Sequence, residues 1–114
     1  MHELSIIASI VDIAEAEVGK AGAQAATRIE LEIGELAGVD MAALDFAWDV
    51  GVRNSVLKRA VRHIQRTPGE ARCAECGNAF PMKELYDPCP ACGSYFSEIL
   101  QGKELRVLAL EVEW

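Results

Sequence analysis

A chain of 114 residues, 51% apolar and 25% charged, is sized for one ordinary domain or a small domain carrying an insert, and it is too apolar to be disordered. Eighteen acidic residues against eleven basic ones give a formal net charge of −7, which disfavours general nucleic-acid binding. No apolar run approaches the roughly 18 residues of a membrane span, and Asp12, Glu15 and Glu17 interrupt what would otherwise be a leader, so a cytoplasmic protein with no membrane partner is expected.

The chain opens Met1-His2-Glu3. The free α-amine, the His2 amide nitrogen, the His2 imidazole and the Glu3 carboxylate are four potential metal donors. Amine, deprotonated amide and imidazole can close two fused chelate rings in one plane, and planar N/O sets suit Ni(II) or Cu(II) better than tetrahedral Zn(II). The plain alternative is a start Met followed by an exposed, idle His. Leu4, Ile7, Val11, Ala14 and Val18 recur at spacings of three and four and predict an amphipathic helix from Glu3 to about Val18. Gly19 and Gly22 would end it.

Alternation of Ile29, Leu31 and Ile33 with Arg28, Glu30 and Glu32 predicts a strand over Thr27 to Leu36, with one buried face. Asp40 reads as the N-cap of a second helix, Met41 to Val50, which would bury Met41, Leu44, Ala47 and Trp48. A weaker strand follows from Ala60 to Thr67, in which His63 reads as an ordinary strand residue. Arg53, Lys58, Arg59, Arg62, Arg66 and Arg72 form a basic stretch that reads either as a docking surface for an acidic partner or as a solvated strand and loop. The last strand, Arg106 to Trp114, should face inward through Leu108, Leu110, Val112 and Trp114.

Between these last two strands lie all four cysteines, as Cys73-x-x-Cys76-Gly and Cys89-x-x-Cys92-Gly with twelve residues between the pairs. In a reducing compartment such pairs read as metal ligands. Four thiolates in tetrahedral array suit a structural Zn(II) at about 2.3 Å, with an iron site or a redox dithiol as alternatives. A closed four-thiolate site leaves no open position for metal catalysis. With Phe80, Met82, Leu85 and Tyr86 as its only core, the segment is too small to fold without the ion. The expected fold is α+β: a small mixed sheet with two helices on one face, plus an inserted zinc-ribbon-like module built on the four cysteines. The expected organisation is a domain of residues 1–69 and 100–114, nickel-binding if the opening donors act, and a zinc-binding insert at 70–99.

Together, Met1-His2-Glu3-Leu4-Ser5, Ile33-Gly34-Glu35-Leu36-Ala37-Gly38-Val39, the paired Cys-x-x-Cys with Cys89-Pro-Ala-Cys92-Gly-Ser, and Gly102-Lys103-Glu104-Leu105 resemble the HypA/HybF family of hydrogenase maturation factors along the whole chain. The resemblance implies Ni(II) as cargo at the N-terminus and Zn(II) as a structural ion. His2 matches the family's central nickel ligand, Glu3 its neighbour, and Asp40 a further acidic position of that site, beside the Met1 amine. The resemblance also implies a HypB-type GTPase and the NiFe-hydrogenase large subunit precursor as partners. Ala79, Ser97 and Glu98 stand where some relatives carry histidines. The chain lacks a phosphate-binding Gly-rich loop and a Cys–His nucleophile pair, so an enzyme is not expected. A monomer or weak homodimer is expected. The competing function is a zinc-ribbon adaptor that binds protein or nucleic acid and makes no use of His2.

Overall fold

The computed structural model describes residues 2–114. Its elements are helix α1 (His2–Ala21), strand β1 (Ala25–Gly34), helix α2 (Met41–Val52), and strands β2 (Val61–Thr67), β3 (Glu70–Cys73), β4 (Ala79–Pro81), β5 (Ser97–Gln101) and β6 (Leu105–Glu113). They form an α+β fold with two three-stranded sheets, ordered β2-β1-β6 and β4-β3-β5. Among the described residues, no helix is long and apolar enough to cross a membrane.

The chain divides into two compact units. The first comprises residues 1–31, 39–65 and 106–114, and the second residues 32–38 and 66–105. The expected insert at 70–99 lies inside the second unit, which also takes in the end of β1 and the turn after it.

In the first unit α1 runs past Gly19 and stops at Gly22, whose φ of 70° is a conformation glycine adopts freely. The Ala23 amide then donates to the Val18 carbonyl at 3.1 Å. The buried stripe of α1 is Ile6, Ile7, Ile10, Ala14 and Val18. It is rotated from the expected face, because Leu4 is 43% exposed and Val11 only half-buried. α2 packs against α1 and buries Leu44, Trp48 and Val52, while Met41 and Ala47 are half-buried. Gly51 sets how closely the helices approach, since a Cβ there would sit 2.5 Å from the Ile7 Cγ2. Leu57, in the turns after α2, is fully buried, and the neighbouring Val56 amide donates to the Glu15 carboxylate at 2.8 Å.

β1 begins two residues earlier than its alternation predicts and ends at Gly34. The Gln24 amide donates to the Glu113 carbonyl and the Gly34 amide to the Glu104 carbonyl, so β6 runs antiparallel to β1. The Glu35 amide donates to the Thr67 carbonyl, so β1 and β2 end side by side, as a crossover through α2 requires. The sheet is therefore mixed. Two side-chain directions differ from expectation. Glu32 is buried and accepts a 2.5 Å hydrogen bond from the Thr67 hydroxyl. Leu108 and Trp114 are exposed, whereas Leu110 and Val112 are half-buried, on the edge strand of the sheet.

Candidate metal centre

In the second unit β3 pairs antiparallel with both β4 and β5, aligning Ala71 with Phe80 on one side and Ile99 on the other. The alignment builds a small buried cluster of Leu36, Ala71, Cys73, Phe80, Met82 and Cys89, with Ile99 against it. Leu85 and Tyr86, expected inside, are exposed, and Leu36 and Ala71 take their place. Leu36 comes from the turn after β1, far away in sequence, so no local pattern marks it.

β3 leads directly into the first cysteine turn. The Cys73 amide donates to the Asn78 carbonyl at 2.8 Å and the Gly77 amide to the Cys73 carbonyl at 3.0 Å. The second turn repeats the first: the Cys89 amide donates to the Ser94 carbonyl at 2.8 Å and the Gly93 amide to the Cys89 carbonyl at 2.7 Å. Gly77 and Gly93 both have φ of 77°, the left-handed conformation that each turn needs directly after its second cysteine. The two turns are the same knuckle built twice.

The knuckles bring four sulfurs within 4.8 Å of one another, and among the described residues this is the one cluster of three or more His, Cys, Asp or Glu donors placed to hold an ion. Cys73 Sγ lies 3.5 Å from Cys92 Sγ, and Cys76 Sγ lies 3.6 Å from Cys89 Sγ. A disulfide would need about 2.05 Å. Four sulfurs at about 2.3 Å from a central tetrahedral ion stand about 3.8 Å apart, so the observed separations are close to a tetrahedral edge. Cys73 and Cys89 are buried, Cys76 and Cys92 exposed. The Cys76 amide donates to Cys73 Sγ at 3.5 Å, and Asn78 Nδ2 lies 3.9 Å from Cys89 Sγ. Sequence reasoning does not single out Asn78 and Ser94, although each follows the glycine of a Cys-x-x-Cys-Gly turn.

The thiols differ in acidity for physical reasons. At Cys89 burial works to raise the pKa, but the Cys92 and Ala91 amides and the neighbouring thiols outweigh it and bring the value down to about 6. Cys73 is also lowered, chiefly by the Cys76 amide acting against burial. At Cys92 the Ser94 amide favours the thiolate, yet contact with Cys73, burial and the other two thiols push it up to about 12. At Cys76 the Asn78 amide again favours the thiolate, but burial together with Cys89 and Cys73 raises the pKa. Four thiolates this close repel one another, and a bound cation removes that conflict by holding all of them ionised.

The first unit carries the other predicted donors. His2 is the exposed first residue of α1, and Met1 lies outside the described residues. Asp40 caps α2 as expected, its Oδ1 accepting from the Ala43 amide at 3.1 Å. The Asp40 amide in turn donates to Glu3 Oε2 at 3.2 Å, so the start of α1 and the start of α2 are joined through Glu3 and Asp40. The amides of a helix's first turn have no partner within the helix, so α1 does not claim the His2 and Glu3 amide nitrogens.

Two members of the basic stretch have contacts within their own unit. Arg62 pairs with Asp45 and stacks over Trp48, 4.9 Å from the ring centroid. Arg66 donates to the carbonyls of Ile33 and Gly34. Both side chains are engaged within the protein. His63 is an exposed residue of β2.

Two helices on a small mixed sheet, together with a two-knuckle four-cysteine ribbon, define a small α+β metal-binding protein. Comparison with known proteins assigns it more narrowly. Residues 1–112 match the family described as hydrogenase/urease nickel incorporation, metallochaperone, HypA. The hydrogenase maturation factor HypA of Parabacteroides distasonis is 45% identical, covering 99% of this chain and 98% of that one. The HypA of Geobacter metallireducens is 43% identical, covering 99% and 100% respectively. The solution structure of the nickel metallochaperone HypA from Helicobacter pylori aligns over 97% of each chain, with a TM-score of 0.70 and 30% identity. The chain belongs to the HypA family.

Proposed function

We propose that this protein is a nickel metallochaperone and not an enzyme. It takes up Ni(II) at its N-terminus and delivers it during maturation of a NiFe-hydrogenase. The Met1 amine, the His2 amide and imidazole, and the carboxylates of Glu3 and Asp40 are the donors. The observation that carries this reading is the 3.2 Å hydrogen bond from the Asp40 amide to Glu3. It joins Asp40 to the helix end where His2 sits, and Glu3 Oε1 and Asp40 Oδ2 lie outside this bond and the Asp40 cap. Such a site is on the surface and open on one side, which suits an ion that must be handed on. Zn(II) is the structural ion of Cys73, Cys76, Cys89 and Cys92, supported by the near-tetrahedral sulfur spacing. The partners that fit are a HypB-type GTPase and the hydrogenase large subunit precursor, met in the cytoplasm. The domain roles follow: residues 1–69 and 100–114 carry nickel, and 70–99 carry zinc.

The test is nickel titration of the zinc-loaded protein beside His2→Ala and a form with one added N-terminal residue. Wild type should bind, both variants should lose binding, and affinity should fall in acid as the donors protonate. Equal binding by all three would refute the terminal chelate.

A further inference from the structure

The ribbon of the second unit carries an apolar surface that its own core does not use. Met82 of the buried cluster, and Ile99 packed against that cluster, line a cup of about 220 Å³. Leu85, Tyr86, Tyr95 and Phe96 line it too, yet all four are exposed, Tyr86 by 80% and Phe96 by 70%. Single apolar residues in water are ordinary, but a cluster of them around one concavity marks an interaction site. The turn that presents Tyr86 is held against local preference. Its φ of 68° is a left-handed conformation that a bulky residue rarely adopts. Asp87 pins that turn, its carboxylate accepting from the Lys83 and Glu84 amides, both at 3.1 Å. Ser97 is also in the lining, and its enclosed hydroxyl has no partner among the described residues. Enclosed polar groups are ordinarily hydrogen-bonded, so the chain alone leaves this wall incomplete.

We propose that this cup docks an internal peptide segment of another protein, which inserts one leucine-sized side chain and sets a neighbouring carboxylate side chain on Lys103. Size selects the anchor: the cup is smaller than the roughly 300 Å³ at which cofactor and drug-sized pockets begin, and it suits a single side chain. Charge selects the neighbour. Lys103 is the one charged residue in the lining, and its ammonium makes no ion pair among the described residues. A basic neighbour would be repelled there, and an acidic one gains a partner. The exposed rings select an internal segment over a chain end. A terminal residue would fill the cup and leave Tyr86, Tyr95 and Phe96 in water, whereas a segment crossing the cup covers them. Aromatic rings also stack on bases, but acidic residues outnumber basic ones in the second unit, which opposes a phosphate backbone. Every lining residue belongs to the second unit, so occupancy of the cup is read without nickel.

Amide NMR of the zinc-loaded protein, titrated with acetyl-Ser-Gly-Leu-Glu-Gly-Ser-amide, tests this. Blocking both ends leaves the glutamate as the peptide's only charge. Shifts should centre on residues 82–86 and 95–103, with a Kd of about 1 mM, the scale expected of one anchored side chain. Replacing the peptide's leucine by glycine should abolish them. Replacing its glutamate by glutamine should weaken binding about fivefold, the equivalent of one exposed ion pair of about 1 kcal/mol. Lys103→Met should weaken the glutamate peptide by the same factor and leave the glutamine peptide unchanged, which closes a double-mutant cycle. Phe96→Ser should retain zinc and lose the peptide, and the Lys103→Met cycle decides the question should Phe96→Ser fail to fold. No shifts up to about 10 mM peptide, equal binding of the glycine peptide, or a Lys103→Met effect blind to the peptide's charge would each overturn the proposal. So would tighter binding of acetyl-Ser-Gly-Leu with a free carboxylate, which would make the occupant a chain end, or of a short oligothymidylate, which would make it a nucleic acid.

Discussion

In the first unit the fully buried side chains are aliphatic: Ile7, Ile29, Leu31, Leu44 and Leu57, with Trp48 and Val52 close behind. In the second, the buried cluster has six members, and two of them are the thiols Cys73 and Cys89. Side chains that would hold the ion thus replace part of the apolar core that would otherwise hold the fold. The first unit is stabilised by expelling water from hydrocarbon; on the proposed zinc assignment, the second depends on the bond energy of a coordinated ion. Their sensitivities should therefore be opposite.

The largest expected effect is metal removal. A strong chelator should disorder the ribbon, because structural zinc supplies on the order of 10–16 kcal/mol at neutral pH and the remaining apolar cluster cannot replace it. The helices should persist. Amide NMR should show loss of dispersion over residues 66–105 alone, and collapse of α1 and α2 signals as well would break the comparison. Acid should act as the chelator does, because protons compete for thiolates.

The reverse experiment is a cavity in the first unit. Leu44→Ala should cost about 2–5 kcal/mol, read by denaturant unfolding of the helices, while the metal content of the ribbon is retained. Gly51→Val sharpens the test from the side of overpacking. Its Cβ would meet Ile7 Cγ2 at 2.5 Å, and the helix pair should lose about 1–3 kcal/mol. The smallest effect is expected at Asp40→Ala, which removes the α2 cap for about 1 kcal/mol. If Asp40 is a nickel donor, that variant should also weaken nickel binding; a loss of helix stability alone would reduce Asp40 to a cap.

The legible parts of the sequence are those in which one chemistry has one periodicity. Ile29, Leu31 and Ile33 mark the buried face of β1, and Asp40 before an apolar turn marks the cap. The Cys-x-x-Cys-Gly pairs mark both knuckles. The inward face of β6 is not legible because apolar residues occupy both parities, with Val107 and Ala109 beside Leu108 and Leu110, so alternation names no face. Glu32 reads as solvent-facing because its partner, the Thr67 hydroxyl, arrives from β2. The ribbon core is larger than its own segment suggests for a similar reason. Leu36 is contributed from outside the cysteine segment, and exposed Leu85 and Tyr86 resemble core residues only in composition.

The duplicated knuckle bears on how an ion arrives and leaves. Each turn is closed by its own two backbone hydrogen bonds, so each pair of sulfurs acts as a two-toothed clamp once its turn has formed. Capture can then proceed one clamp at a time, with a half-coordinated ion between the steps. Escape must run the same path backwards. As one clamp opens, the other still holds the ion nearby, and recapture outpaces departure. The lifetime of the bound ion should therefore exceed what its equilibrium affinity alone suggests. Crippling one clamp by replacing either of its cysteines should shorten that lifetime more than it lowers initial uptake.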